Sequence, residues 1–181
     1  MDQSKGRETV GYYGSPLGRI TLASDGQALT GLWFEGQKYY GSTLSEDWEE
    51  GEAPVLEQAR AWLDRYFSGE RPPMVLPVQL RGTTFQKEVW EILQEIPYGK
   101  TITYKEIADR IAAHRGLPSM SAQAVGNAVG RNPISVVVPC HRVVGKDGGL
   151  TGFAGGIEKK AWLLAMEGAD FCKTADRLPD F

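Results

Sequence analysis

The chain has 181 residues, 41% of them hydrophobic, and a formal net charge of −3 at pH 7. It contains no run of eighteen or more apolar residues, which excludes a membrane-spanning helix, and its polar start, MDQSKGRETV, has no apolar signal core. Two cysteines, Cys140 and Cys172, make neither a disulfide framework nor a zinc pattern, so a reducing cytoplasm is the expected compartment.

Strands and turns dominate the first forty residues. Gly11 to Ser15 leads into a Pro16-Leu17-Gly18 turn. RITLAS follows, then an Asp25-Gly26 turn and LTGLWF, a hairpin pattern. Residues 41–54 are acidic and polar and read as a loop. Leu56, Ala59, Leu63 and Phe67 recur at helical spacing, with Gly69 as the stop. PVQL (77–80) is expected as a last strand. A boundary near Arg81 divides the chain into domains 1–80 and 81–181.

The second half reads mostly as helices. Thr83 precedes Gln86 at capping-box spacing, and Phe85, Val89, Ile92, Leu93 and Ile96 form one apolar face that ends at Pro97 and Gly99. Thr103 stands in the same relation to Glu106 and opens a helix through Ile107 and Ile111. After a turn at Gly116 to Ser119, a short helix is expected from about Ser121 to Val129. The pair reads as a helix-turn-helix, although such pairs also occur in proteins that bind no DNA. Between Gly99 and Lys146 seven basic residues oppose two acids, +5 locally against −8 for the rest. That asymmetry suits a nucleic-acid surface beside an acidic companion domain, and also an ordinary solvated surface. The expected fold class is α+β.

VVVPCHRVVG, from Val136 to Gly145, holds the chemistry. It reads as a buried strand that delivers Cys140 at its end, with His141 as its neighbour. A thiol with an ordinary pKa of about 8.5 is only a few per cent ionised at pH 7, and a neighbouring base changes that. Adjacent side chains on an extended segment point apart, so a bridging water is expected between the two. Cys172 fits a small buried hydrophobe. His114, in the turn region, is expected at the surface. Two histidines and two scattered cysteines make no metal constellation. The glycines from Gly145 to Gly156 lack the Gly-Lys-Ser/Thr of a phosphate loop and suit a backbone that approaches a flat ligand closely.

Three stretches, in order and over about half the chain, resemble the O6-alkylguanine-DNA alkyltransferases: FQKEVWEILQEIPYGKTITYKEIA from Phe85, QAVGNAVGRNPISVVVPCHRVVG, and GGLTGFAGGIEKKAWLLAMEG ending at Gly168. The resemblance implies an N-terminal strand-rich α/β domain and a C-terminal winged-helix-like, helix-turn-helix alkyltransferase domain. It implies repair of double-stranded DNA without a cofactor. An alkyl group would move irreversibly from flipped O6-alkylguanine, or O4-alkylthymine, to Cys140 of a monomer that acts once.

By the same resemblance, Glu167 polarises His141, and His141 a water that ionises the thiol. A carboxylate in the last helical turn opposes the helix dipole, so Glu167 should have a cationic partner such as protonated His141. Tyr104 would pack on the base and donate to a ring nitrogen. The backbone around Val143 would read the base's amino group. Asn132 would tie the helix-turn-helix to the active-site segment. Phe153 and Ala154 stand where many members have tyrosine and serine. Gln123 and Ala124, in the recognition helix, with Arg115, Arg131 and Arg142, are the expected DNA contacts; Arg142 also suits a structural role. Gln123 replaces the arginine that fills the space left by the flipped base. Two other classes compete: a binding-only alkyltransferase-like protein, whose members lack the cysteine, and a thiol hydrolase using Cys140 and His141.

Overall fold

The computed structural model describes residues 6–171. Cys172 therefore lies outside the described residues. Two compact units are present: the chain up to Arg81 together with Pro133–Val137, and Gly82–Asn132 with the chain from Val138 onward. The architecture is α+β, a sheet unit and a helical unit.

In the first unit, β1 (Glu8–Ser15), β2 (Gly18–Ser24) and β3 (Leu29–Phe34) form an antiparallel meander joined by the two expected turns. Helix α1 (Pro54–Phe67) starts on a proline, whose missing N–H costs nothing at a helix start. It buries Leu56, Ala59, Leu63 and Tyr66, and packs against the sheet. Gly31 is required by packing, since a Cβ there would lie 2.0 Å from the Trp33 indole.

Two expectations for this unit need correction. The segment read as a loop contains β4 (Trp48–Glu50), which pairs in parallel with β1 and gives the sheet order β3-β2-β1-β4. Its three residues are all exposed, so backbone pairing alone makes the strand and no apolar alternation marks it. PVQL makes one parallel bridge, Leu29 with Val78, rather than a strand. Pro77 accepts from Leu29 N (2.8 Å) but has no N–H of its own to extend the ladder.

In the second unit, α2 (Thr84–Gln94) and α3 (Tyr104–Arg115) both begin in complete capping boxes, at Thr83/Gln86 and Thr103/Glu106. Gly116 ends α3 in the left-handed conformation, and the Ser121 hydroxyl caps α4 (Ala122–Gly130). Buried Trp90 on α2 donates Nε1–H to the Ala128 carbonyl (2.8 Å), which pins α4 to α2. Two-residue strands β5 (Ile102–Thr103) and β6 (Val143–Val144) pair in parallel. Helix α5 (Ile157–Met166) closes the unit. Among the described residues no helix is long and apolar enough to cross a membrane.

The run before Cys140 is buried but is not a strand. Ile134 makes a single bridge to Leu32, and Val136 adopts φ +68°, a region β-branched residues avoid. Cys140–Arg142 then forms a 3-10 turn. The apolar run reports burial on all sides, which periodicity cannot distinguish from a central strand.

A buried ion pair gives a stability test. Glu8, fully buried, accepts from Ser45 N (2.7 Å) and from Arg81. Arg81→Met strands the carboxylate and should lower stability by about 3–5 kcal/mol in urea denaturation. A loss below about 1 kcal/mol would show that Glu8 finds compensation elsewhere.

Candidate active site

The β5–β6 pairing assembles the site. Strand β5 runs directly into Tyr104, the first residue of α3, and β6 directly follows the Cys140–Arg142 turn. Tyr104 and the thiol segment are thereby brought to one place. Cys140 is 3% exposed and its N–H donates to the Val138 carbonyl (2.8 Å). Buried Asn132, two residues past α4, donates Nδ2–H to the same carbonyl (2.8 Å).

Glu167 caps the end of α5, as a carboxylate at the negative pole of the helix. Its oxygens accept from His141 Nε2 (2.6 Å), Arg142 Nε (2.8 Å) and the Gly99 amide (3.1 Å). Gly99 can present that amide because it turns through φ +76°, in close approach to Glu167. Arg142 also donates Nη1–H to the Ile96 carbonyl (2.7 Å). Burial alone would push the Glu167 carboxyl up. The hydrogen bonds from His141 and Arg142, with the Arg142 charge, outweigh it and hold the group well below the usual carboxylate range. Burial pushes His141 down, with help from the Arg142 and Lys160 cations, so it rests neutral despite Glu167. Neutral His141 donates Nε2–H to Glu167 and keeps Nδ1 as its basic atom. The cation at the helix end is therefore Arg142, rather than the protonated His141 expected from the sequence.

Tyr104 faces a second buried group. Its hydroxyl donates to the Thr151 carbonyl (2.9 Å), and Lys160 Nζ donates to the same carbonyl (2.8 Å) and to the Tyr104 oxygen (3.4 Å). Lys160 is 0% exposed. Burial pushes its ammonium down to about 8, and the Cys140 charge pulls the other way. Burial raises the Tyr104 phenol against the opposing hydrogen bond to Thr151, and the Cys140 charge adds to the rise, so Tyr104 remains a proton donor.

A cleft of about 780 Å³ opens in front of Tyr104, lined in part by Gln123, Asn127, Lys146, Thr151 and Gly152. Gln123 is exposed and Ala124 half-buried on the adjoining stretch of α4; Arg131 is exposed at its C-cap. Val143 and Phe153 are buried, and Ala154 is half-buried in the glycine loop. Two residues expected at DNA are otherwise engaged. Arg142 is turned inward onto Glu167, its side chain 11% exposed. Arg115 pairs with Glu88 (2.9 Å) and lies over the Phe85 ring, tying α3 to α2. His114 is exposed.

Lys160 and the Gly99 amide are absent from the residues singled out by sequence. One signal for Lys160 was available: it lies seven residues before Glu167 on the face that buries Ala161, Leu163 and Leu164. Two charges on one apolar stripe are rarely both solvated. Nothing local marks a backbone amide.

The chain matches two family models: residues 84–169 the DNA binding domain of 6-O-methylguanine DNA methyltransferase, and residues 9–80 its ribonuclease-like domain. It is 43% identical over 158 residues to the methylated-DNA–protein-cysteine methyltransferase of Haemophilus influenzae, covering 86% of this chain and 84% of that one. Its likeness to the protein of the same name from Methanosarcina barkeri is 46% over 154 residues, covering 84% and 92%. Among solved structures, Mycobacterium tuberculosis OGT in complex with DNA superposes with a TM-score of 0.76 at 41% identity, covering 90% of this chain and 92% of that one.

The hydrogen-bonded Glu167–His141 pair predicts how the thiol reacts with a simple electrophile. Glu167→Gln should slow iodoacetamide alkylation of Cys140 at pH 7 by roughly 10²-fold. The gap should close towards pH ~10, where an ordinary thiol is ionised without help. Equal rates at pH 7, read by peptide mass, would show that Cys140 ionises by another route.

Proposed function

The chain belongs to the 6-O-methylguanine DNA methyltransferase family, and from that premise we propose that it repairs DNA by taking the alkyl group of O6-alkylguanine onto Cys140, once per molecule. The activity is that of a methylated-DNA–protein-cysteine methyltransferase, with DNA as substrate and a cysteine as acceptor. The observation that carries the assignment of the acceptor is Cys140 itself. It is the one cysteine among the described residues, buried, and adjacent to the histidine that bonds Glu167 at 2.6 Å.

His141 Nδ1 takes the thiol proton, through a bridging water, and Glu167 stabilises the imidazolium that forms. The sulfur attacks the alkyl carbon as the bond from that carbon to O6 breaks, and the electron pair stays on guanine. Tyr104 turns its hydroxyl from Thr151 to a ring nitrogen of the base, where a hydrogen bond strengthens as negative charge develops. A thioether is a poor alkyl donor, so the transfer is not reversed. Helix α4 meets the duplex, with Gln123 at the mouth of the cleft as the side chain that enters the vacated stack. A reactive thiol needs a reducing compartment, which supports a cytoplasmic location.

Methyl transfer from a methylguanine oligonucleotide should plateau at about one equivalent per protein. Peptide mapping should find the added mass on Cys140, and Cys140→Ala should abolish it. Sustained turnover, or label on another residue, would remove the assignment.

Gln123 can fill part of the vacated volume but brings no charge, whereas arginine adds a planar cation near the phosphates. Gln123→Arg should speed repair of duplex DNA, and Gln123→Ala should slow it. Neither should alter reaction with the free alkylated base, which needs no flipping. Equal duplex rates for alanine and glutamine would show that another residue, with Arg131 first to be tested, is the wedge.

A further inference from the structure

We propose that Lys160 is a positioning residue for the transfer: it holds the Tyr104 hydroxyl at the Thr151 carbonyl and returns to Tyr104 the proton that Tyr104 gives to the departing guanine. This rests on the reading of Cys140 as acceptor and adds a proton route on the leaving-group side.

A fully buried lysine is costly unless its charge is compensated. Among the described residues no carboxylate pairs with Lys160; its hydrogen bonds go to Thr151 O and Tyr104 Oη. The ammonium also lies 5.7 Å over the Tyr104 ring centroid. The titratable groups around it are Tyr104 on α3 and Cys140 and His141 in the 3-10 turn, and the one charge that draws it is that of Cys140. A methionine would fill the same stripe of α5 without the desolvation cost. The cation thus feels the Cys140 charge but has a hydrogen-bonded path to the Tyr104 phenol, not to the sulfur.

The step balances. The Cys140 thiolate forms the S–C bond and the C–O6 bond breaks, leaving its electron pair on guanine. Tyr104 passes its proton to a ring nitrogen, and Lys160 passes one to the Tyr104 oxygen. Thiolate and ammonium are consumed together, giving a neutral thioether, a neutral amine and neutral guanine, while the thiol's own proton stays on His141. No proton need enter from solvent while the site is closed.

The test compares two electrophiles on the full-length protein. Iodide leaves without a proton, whereas guanine needs one. Lys160→Met should slow single-turnover methyl transfer from a methylguanine oligonucleotide by roughly 10²-fold. It should slow iodoacetamide alkylation of Cys140 far less. In a Tyr104→Phe background, Lys160→Met should cost little more, because both changes cut one route. With Lys160 intact, wild-type transfer at saturating DNA should fall as pH rises above about 8, where the ammonium is lost. That fall should vanish in Tyr104→Phe. Equal slowing of both electrophiles, additive effects of the two substitutions, or a flat wild-type profile would each overturn the proposal. Failure of the wild-type protein to transfer methyl to Cys140 at all would instead overturn the reading on which it rests.

Discussion

Glu167, at the end of α5, accepts hydrogen bonds from two separated stretches of chain: the Gly99 turn after α2, and His141 and Arg142 in the 3-10 turn. A buried carboxylate left without donors would cost several kcal/mol, so these segments hold one another in place or none is stable. Arg142 extends the constraint by bonding the Ile96 carbonyl, in the turn that follows α2. The interaction that sets the histidine's tautomer therefore also fixes the packing around it. Positioning the base and folding the unit are one requirement.

The thiol sits among several buried charges. Arg142 neutralises Glu167, and His141 rests neutral, so Lys160 leaves the site with a surplus positive charge while Cys140 is protonated. Moving the thiol proton to His141 leaves that total unchanged and sets a negative sulfur among the cations. On the proposed reading the Glu167–His141 pair is the route for the thiol proton, and Lys160 acts on the leaving-group side.

Much of this was legible from sequence, and the failures share a cause. Capping boxes at Thr83 and Thr103, the Asp-Gly turn and the apolar periodicities are local signals, and the elements they mark stand where expected. Strand β4 was hidden because a three-residue exposed edge strand needs only backbone pairing. The VVVP run misled because burial on all sides erases the difference between a strand and an irregular buried segment; Val136 at φ +68° is imposed by tertiary context. In the site, family resemblance singled out Cys140, His141, Glu167, Tyr104 and Asn132, all of which lie in the helical unit. It did not say that Arg142 would point inward or that Lys160 would be buried, because these depend on which carboxylates and carbonyls the fold brings near.

Charge counting shows the same limit. Of the seven basic residues between Gly99 and Lys146, Lys105 pairs with Asp109, Arg110 with Glu95, Arg115 with Glu88 and Arg142 with Glu167. These pairs are not equivalent as DNA contacts. Exposed pairs such as Lys105–Asp109 are worth about 0–1 kcal/mol, so a phosphate can replace the carboxylate at little cost. The Arg142 pair is buried, and pulling it out would leave Glu167 stranded, so it stays with the chemistry. The cations that can serve DNA are the ones that matter least to the fold. The local surplus of +5 read from sequence counts one that matters most to it.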